Sequence, residues 1–325
     1  MPINRRPFLQ WVTSLAALGP LTHWAQTSST KAGTVSRDGV QIAYVSAEPD
    51  SGAFDRSKAV VFIHGALCDN SDWRFQFAQL ARTHRVVALD LVGHGASEKK
   101  SGRIGINAFA KDVDAVCQQL GVSKVVLVAH SMGCRVALQC ALDMPDKVAS
   151  LVLLDGAYLS PQPTTGMAPA ARSELAQATY KRVQALYDGP QLPAVIKGAF
   201  EQMFFDARFL GMRDQVVARA QSLPPLVARE LMADFAAWDV LQMETALSTI
   251  AAPILAICST SFNASRQRVM LGKDERTPWI QVLQQHARRP EIARYTDAGH
   301  FVMLEQPERI GQDMVRHLRE INFGT

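Results

Sequence analysis

Residues 124–133 read Lys-Val-Val-Leu-Val-Ala-His-Ser-Met-Gly, and this stretch decides the fold. Lys124–Val128 is a short run rich in β-branched residues, which predicts a strand covered on both faces. Helical periodicity then runs through Met132–Met144. A strand that turns directly into a helix places Ser131 at the carboxyl end of a sheet, where open α/β sheets bind their ligands.

Ser131 has the neighbours that a nucleophile elbow requires. Its strained turn needs small residues two before and two after the serine. Ala129 and Gly133 meet this requirement, although glycine is more usual than alanine at the first position. The following helix directs its positive end and the free N–H of Met132 toward any oxyanion formed at Ser131. The alternative interpretation of Ser131 is a helix cap.

Similar apolar runs lie on both sides of this stretch and alternate with amphipathic helices. The predicted strands are Val40–Ser46, Ala59–Ile63, Arg85–Leu89, Val148–Leu154, Pro253–Cys258 and Glu291–Tyr295, and the predicted helices are Ser71–Thr83, Ile106–Leu120 and Gln306–Ile321. This alternation is typical of an α/β protein with a mostly parallel, doubly wound sheet. Residues 159–245 show no strand pattern, which predicts a helical cap inserted between two core segments, 31–158 and 246–325.

Residues 1–30 predict a signal peptide. Asn4–Gln10 (Asn-Arg-Arg-Pro-Phe-Leu-Gln) resembles the twin-arginine export motif. The apolar run Trp11–Leu21 behind it is too short to cross a hydrocarbon core of about 30 Å. We therefore expect an exported protein, periplasmic or secreted, with no stable membrane span.

Composition argues against several classes of function. The 325 residues are 48% hydrophobic and 20% charged, which is ordinary for a globular protein. The net charge of +4 comes with no basic stripe, so no nucleic-acid partner is expected. The five cysteines include no C-x-x-C pair and are expected to be buried packing residues. The sequence has no metal-ligand cluster, phosphate loop or dinucleotide fingerprint, so we expect neither a metal nor another cofactor.

Two further motifs show a family resemblance. Phe62–Ala66 (Phe-Ile-His-Gly-Ala) ends an earlier strand and, together with the serine turn, resembles the α/β-hydrolase family. Asp90–Ser97 resembles a structural loop of the same family, and the similarity covers most of Val40–Ile321. The resemblance implies this fold, and it implies a second oxyanion donor at the residue after the His-Gly pair, the backbone N–H of Ala66.

A third motif supplies the candidate base. Asp297–Pro307 (Asp-Ala-Gly-His-Phe-Val-Met-Leu-Glu-Gln-Pro) resembles the late histidine loop of the family. A neutral imidazole at about pH 7 can take a serine proton and return it to a leaving group. His300 is therefore the predicted base.

The acid is less well defined. Most relatives carry it just beyond the strand matched by Pro253–Cys258, but Ser259–Ala264 contains no carboxylate. Some relatives carry it at the end of the preceding strand, where this chain has Asp155. Either position can orient the imidazole, because the triad is defined by geometry. Asp155 is the candidate acid. It could instead satisfy turn amides, and Asp274 or a dyad assisted by Asn263 or water are the alternatives.

Together these residues predict a serine hydrolase that cleaves an ester, lactone or related acyl bond through an acyl-enzyme. Carbon–carbon bond or amide hydrolysis, and a ligand-binding protein without turnover, stay open, because fold and triad do not determine the substrate. An apolar cluster in the insertion favours a hydrophobic small-molecule substrate, although such a stripe also suits packing. Its members are Met203, Phe204, Phe205, Phe209 and Met212. The sequence does not determine the oligomeric state.

Overall fold

The computed structural model describes residues 30–49, 54–100 and 102–324. Its strands are β1 (Lys31–Arg37), β2 (Val40–Ala47), β3 (Lys58–Ile63), β4 (Val86–Leu89), β5 (Lys124–His130), β6 (Val148–Leu154), β7 (Ile254–Cys258), β8 (Thr260–Phe262), β9 (Arg268–Met270) and β10 (Glu291–Arg294). Its helices are α1 (Arg74–Leu80), α2 (Ile106–Gln119), α3 (Gly133–Asp143), α4 (Pro169–Leu186), α5 (Leu192–Glu201), α6 (Leu210–Gln221), α7 (Pro225–Trp238), α8 (Glu244–Thr249), α9 (Pro278–His286), α10 (Val302–Glu305) and α11 (Pro307–Glu320).

Eight of the strands form one sheet in the order β1-β2-β4-β3-β5-β6-β7-β10. β2 is antiparallel to both β1 and β4, and every other neighbouring pair is parallel. The predicted α/β class with a mostly parallel sheet is confirmed. Each predicted strand is present, with its ends displaced by at most two residues.

The sheet is covered on both faces, which explains why its strands are apolar runs without alternation. In β3, Val61 and Ile63 pack into the layer that contains α2 and α3. Val60 and Phe62 point the other way and pack with α1 and α11. Because successive side chains of a strand point to opposite faces, a strand between two helical layers needs apolar residues at every position.

The sheet begins with a hairpin whose turn is Asp38-Gly39. Arg37 pairs with Val40 across a two-residue loop. Asp38 and Gly39 have φ values of 52° and 77°, and positive φ at both central residues matches the right-handed twist of paired strands. A second, smaller hairpin, β8–β9, was not predicted, because three-residue strands are too short to show a pattern.

Between β6 and β7 the chain is helical. Residues 159–245, all of them described, contain α4 to α7, a π-helical turn at Asp239–Met243 and the start of α8, and no strand. Helix α4 packs on α7, and α5 packs on α6.

Among the residues that the structure describes, no helix has both the length and the apolar character needed to cross a membrane. The predicted signal peptide lies outside the described residues except for Thr30, so it stays a prediction.

All five cysteines are buried, as predicted, and all five are free. The predicted helix Ser71–Thr83 is shorter than expected, because the chain first makes a 3-10 turn at Asn70–Trp73. The Asp69 carboxylate caps this turn by accepting the Ser71 backbone N–H. Helix α1 then begins at Arg74.

A buried ion pair joins the helical segment to the sheet. Arg135 on α3 donates two hydrogen bonds to the Asp239 carboxylate, at 2.8 and 2.7 Å, and the side chains are only 2% and 0% exposed. The same guanidinium donates to the carbonyl oxygens of Ser131 and Ala157, and Asp239 also accepts the Leu159 N–H. The pair therefore holds the π-helical turn, the first turn of α3 and the loop after β6 together.

We expect Asp239→Ala to lower the free energy of unfolding by about 3–5 kcal/mol, because it leaves the Arg135 charge buried without a partner. The control is Asp214→Ala, which breaks the exposed pair with Arg213 and is expected to cost less than about 1 kcal/mol. Denaturant unfolding of both variants measures the difference. Equal losses would show that Arg135 is solvated in another way.

Candidate active site

The turn between β5 and α3 has the strained geometry that the sequence predicts. Ser131 has a φ of 54°, which is uncommon for a residue with a side chain. A Cβ on Gly133 would stand 2.7 Å from the carbonyl oxygens of both Ile63 and His64. Only glycine therefore lets α3 begin this close to β3, and the serine hydroxyl is left at the cavity surface.

Ser131, His300 and Asp155 form one hydrogen-bonded chain. His300 Nε2 lies 2.9 Å from Ser131 Oγ, and His300 Nδ1 lies 2.6 Å from Asp155 Oδ2. A carboxylate can only accept, so Nδ1 carries the proton and Nε2 is free to accept the serine hydroxyl. The two partners His300 and Asp155 are each 2% exposed. This arrangement is the geometry of a nucleophile, a base and an orienting acid.

The loop after β7 holds the Asp155 carboxylate. Oδ1 accepts the backbone N–H groups of Ser259 at 2.7 Å and Thr260 at 2.9 Å, and Oδ2 accepts the Thr260 hydroxyl at 2.5 Å. The loop that lacks a carboxylate thus supplies three donors to a carboxylate on the neighbouring strand. Asp155 has a φ of 43°, so its backbone is strained in the same sense as that of Ser131.

These contacts determine the ionisation of the two groups. Burial alone would raise the pKa of Asp155, but hydrogen bonding and the charges around it, with His300 first, hold that pKa well below its usual range. Burial lowers the pKa of His300 below 6.5, and the positive charge of Arg268 lowers it further, while Asp155 opposes both. At neutral pH the site therefore holds an ionised carboxylate and a neutral imidazole.

The two backbone groups predicted as oxyanion donors lie beside the serine. Ala66 and Met132 line the same cavity as Ser131, and neither N–H donates a hydrogen bond to a described residue. A Cβ on Gly65 would lie 3.3 Å from the Cβ of Ser131, so the two loops are in contact. Two free N–H groups next to a serine hydroxyl can bind a developing oxyanion.

Three other residues of the predicted motifs, His64, Asp90 and His94, hold the backbone near Ala66 in place through hydrogen bonds. His94 Nε2 accepts the Leu67 N–H at 3.3 Å, and His64 Nε2 accepts the Leu91 N–H at 3.0 Å. Asp90 accepts the N–H groups of Asn70 and Ala96, each at 2.8 Å. These buried side chains fix the backbone around Ala66 and do not contact the serine, which agrees with the structural role that the sequence indicates.

The other predicted acids lie elsewhere. Asp274 is exposed in the turn after β9. Asn263 bonds Gln267 within the β8–β9 loop. Neither residue hydrogen-bonds His300, whose Nδ1 is taken by Asp155.

The cavity above Ser131 has a volume of about 460 Å³ and a mainly apolar wall. Much of that wall comes from the helical segment and includes Ile196, Phe200, Met232 and Phe235. Of the five residues of the predicted apolar cluster, only Met203 lines it. Phe204 instead stacks on Phe301, with ring centroids 5.0 Å apart. The polar residues of the wall include Gln202, Arg266 and Arg268.

Three residues of the site, Ser259, Thr260 and Arg268, were not predicted from the sequence. The available signal was the loop Ser259–Ala264, which is rich in hydroxyl and amide donors where a carboxylate was expected. Such a loop can hold an acid that comes from the neighbouring strand. Arg268 has no local signal, because Asp155 and Gln202, which it contacts, are distant in sequence.

One group of possible metal ligands lies among the described residues, at Glu291, His317 and Glu320. Its members already have protein partners. Arg316 pairs with Glu291 at 2.5 Å and with Glu320 at 3.1 Å, and His317 Nε2 lies 2.7 Å from Ser150 Oγ. This cluster is an ion-pair network at the surface.

Comparison with known proteins identifies the family. The family model described as "Alpha/beta hydrolase family" matches residues 60–312, so the chain belongs to the alpha/beta hydrolase family. It is 29% identical over 275 residues to the "dihydrolipoyllysine-residue acetyltransferase component of acetoin cleaving system" of Pseudomonas putida, which covers 80% of this chain. The chain spans 63% of that relative, less than two thirds of its length.

Two solved structures share the architecture over most of both chains. A thermophilic esterase from Thermogutta terrifontis matches with a TM-score of 0.66 and 22% identity, over 90% of this chain and 99% of the esterase. Est816, described as an N-acyl homoserine lactone degrading enzyme, matches with a TM-score of 0.64 and 26% identity, over 88% of this chain and 99% of Est816. The likeness to the Thermogutta esterase shows the fold alone.

We expect Gly133→Ala to lower the free energy of unfolding by about 1–3 kcal/mol, because the new methyl group collides with two backbone carbonyls that cannot move away. Gly211→Ala is the control, since a Cβ there meets nothing within 4 Å and alanine suits a helix better. Thermal and denaturant unfolding of the two variants measure the effect. A Gly133→Ala protein as stable as wild type would contradict the close contact of α3 with β3.

Proposed function

We propose that the protein is a serine hydrolase that cleaves a carboxylic ester or lactone through an acyl-enzyme. The observation that carries this proposal is the hydrogen-bonded chain from Ser131 through His300 to Asp155 at the wall of an apolar cavity. The name of Est816, an N-acyl homoserine lactone degrading enzyme that is 26% identical to this chain, supports the same class of bond.

The geometry supports the following sequence of steps. His300 Nε2 takes the Ser131 proton as Oγ bonds to the substrate carbonyl carbon. The carbonyl oxygen becomes an oxyanion and accepts the N–H groups of Ala66 and Met132. Asp155 holds the imidazolium in place, and His300 then gives the proton to the leaving alcohol. Water, deprotonated by the same imidazole, attacks the acyl-enzyme and releases the acid and free Ser131.

Each step uses a group whose ionisation suits it. The imidazole must be neutral at the start, and burial keeps it so. The carboxylate must stay ionised while the imidazole is charged, and its three donors from Ser259 and Thr260 ensure this. No metal or cofactor takes part in the proposed steps.

We expect Ser131→Ala to abolish labelling by a fluorophosphonate, because the probe reacts with the activated serine oxygen. For hydrolysis of p-nitrophenyl esters, we expect Asp155→Asn to lower kcat by about 10³- to 10⁴-fold, since His300 loses the acceptor that fixes its tautomer. Asp274→Asn is the matched control and is expected to retain the wild-type rate.

The same measurements separate the alternatives. Labelling without ester or lactone hydrolysis would favour an amide or carbon–carbon bond hydrolase. An unlabelled wild-type protein would favour a ligand-binding protein without turnover. A fall in rate with Asp274→Asn but not with Asp155→Asn would contradict the proposed acid.

The pH profile provides an independent test of His300. Only the neutral imidazole accepts the serine proton, and burial together with Arg268 lowers the pKa of His300 below 6.5. Activity should therefore persist as the pH falls through 6.5 and disappear only when the pH passes the lowered pKa of the folded protein.

We expect the acidic midpoint of kcat/KM, measured between about pH 4 and 9, to lie below 6.5. Arg268→Gln removes one cause of the shift and should move the midpoint upward. Arg276→Gln, which removes the same charge from an exposed side chain outside the cavity wall, should leave it in place. A wild-type midpoint at or above 6.5 would contradict a buried, neutral imidazole.

A further inference from the structure

Arg268 is a cation in the wall of the apolar cavity. It lies at the start of β9, and its side chain is 13% exposed. The residue lines the same cavity as Ser131 and His300. Placing an arginine in a mostly apolar wall is unfavourable unless its charge has a partner.

The protein partners of Arg268 leave most of its donors free. Nη1 donates to the Thr260 hydroxyl at 2.5 Å, and no other side-chain hydrogen bond of Arg268 connects it to the described residues. Its one ion-pair contact within that part of the chain is Asp155 Oδ2, at 3.6 Å from Nη1. A guanidinium has five N–H donors, so Nε and Nη2 are available to a ligand.

Arg135, which lines the same cavity, differs from Arg268 because a buried carboxylate matches its charge. Both of its terminal nitrogens and Nε donate to protein oxygens, and Asp239 accepts two of these bonds. Its charge is matched within the protein. Of these two arginines, only Arg268 has side-chain nitrogens, Nε and Nη2, that donate to no described residue.

The charge balance at the site also favours an anion near Arg268. Asp155 is the one carboxylate in contact with both Arg268 and His300 in the described part of the chain. In the proposed reaction His300 becomes a cation, so two positive charges then share one carboxylate. An anionic group on the substrate would offset the second charge.

The guanidinium is held in a defined orientation. Its Cζ lies 4.5 Å from the centroid of the Phe262 ring, so it stacks on an aromatic face and keeps its edges for hydrogen bonds. The Arg268 backbone N–H donates to Gln202 Oε1 at 3.2 Å, which brings a second polar side chain of the cavity wall to the same place. A planar carboxylate is the ligand that such a fixed fork binds best.

We propose that Arg268 forms an anion subsite, and that the preferred substrates are esters or lactones whose acyl part carries a carboxylate beyond an apolar spacer. This inference rests on the proposed hydrolase function. The proposed substrate is therefore apolar over most of its length, as the rest of the cavity favours, and negatively charged at one end.

The test uses pairs of esters that differ only in this charge. The p-nitrophenyl half-esters of succinate, glutarate and adipate are compared with p-nitrophenyl butanoate, pentanoate and hexanoate, which have the same acyl chain lengths and end in a methyl group. The proteins are wild type, Arg268→Gln, Arg268→Lys and the control Arg276→Gln.

We expect wild type to favour the charged member of at least one pair, and Arg268→Gln to lower that charged-to-neutral ratio of kcat/KM by about 10- to 100-fold, the range of a charged hydrogen bond. The loss should lie mainly in KM for the charged ester. Arg268→Lys should restore part of the ratio, and Arg276→Gln should leave it unchanged.

Three results would overturn the subsite. The first is no charge preference in wild type at any chain length. The second is an equal fall for charged and neutral esters with Arg268→Gln, which would make Arg268 a positioning residue for Asp155 alone. The third is an equal loss of preference with Arg276→Gln, which would indicate long-range attraction.

A binding measurement separates failure of the subsite from failure of the hydrolase proposal. Calorimetric titration of methyl hydrogen glutarate into Ser131→Ala and into Ser131→Ala/Arg268→Gln needs no turnover. If wild type hydrolyses no ester, tighter binding to the first variant still supports the subsite, and equal binding overturns it.

Discussion

The buried carboxylate of Asp155 joins three segments that are distant in sequence. An ion that is 2% exposed cannot be solvated by water, so its charge must be offset by protein donors. Those donors come from the loop after β7, at Ser259 and Thr260, and from His300 in the loop after β10. The hydrogen bonds that stabilise this one buried charge therefore also orient the imidazole, and they fix the distance between the loop after β7 and the loop after β10.

The parallel sheet makes this meeting possible. Ser131 follows β5, Asp155 follows β6, Ser259 follows β7 and His300 follows β10, and these four strands are neighbours in that order. The carboxyl ends of parallel strands lie at one edge of the sheet. Groups from four separate parts of the chain therefore meet at this edge. Two of them, Ser131 and Asp155, have strained, positive φ values.

The helical segment between β6 and β7 also contacts the residues of this site. The carbonyl oxygen of Met203 accepts the His300 backbone N–H at 2.8 Å, and Gln202 accepts the N–H of Arg268. The histidine loop is therefore held both by Asp155 and by the segment that forms the cavity wall. Because the carboxylate that contacts His300 follows β6, the chain after β7 needs no carboxylate of its own. That chain forms the β8–β9 hairpin, which brings Arg268 to the cavity.

The sequence by itself determined the class of fold and the features that depend on local sterics. Apolar runs predicted the strands because every position of a strand between two helical layers is buried. Small residues around Ser131 predicted its turn, because a Cβ at Gly133 has no room. Only the tertiary structure shows that Asp155, and neither Asp274 nor Asn263, contacts His300, because the pairing of β6 with β7 places Asp155 there. The tertiary structure alone also showed that Arg268 lines the cavity. Its partners Thr260, Asp155 and Gln202 come together through strand pairing and helix packing, which no local sequence pattern records.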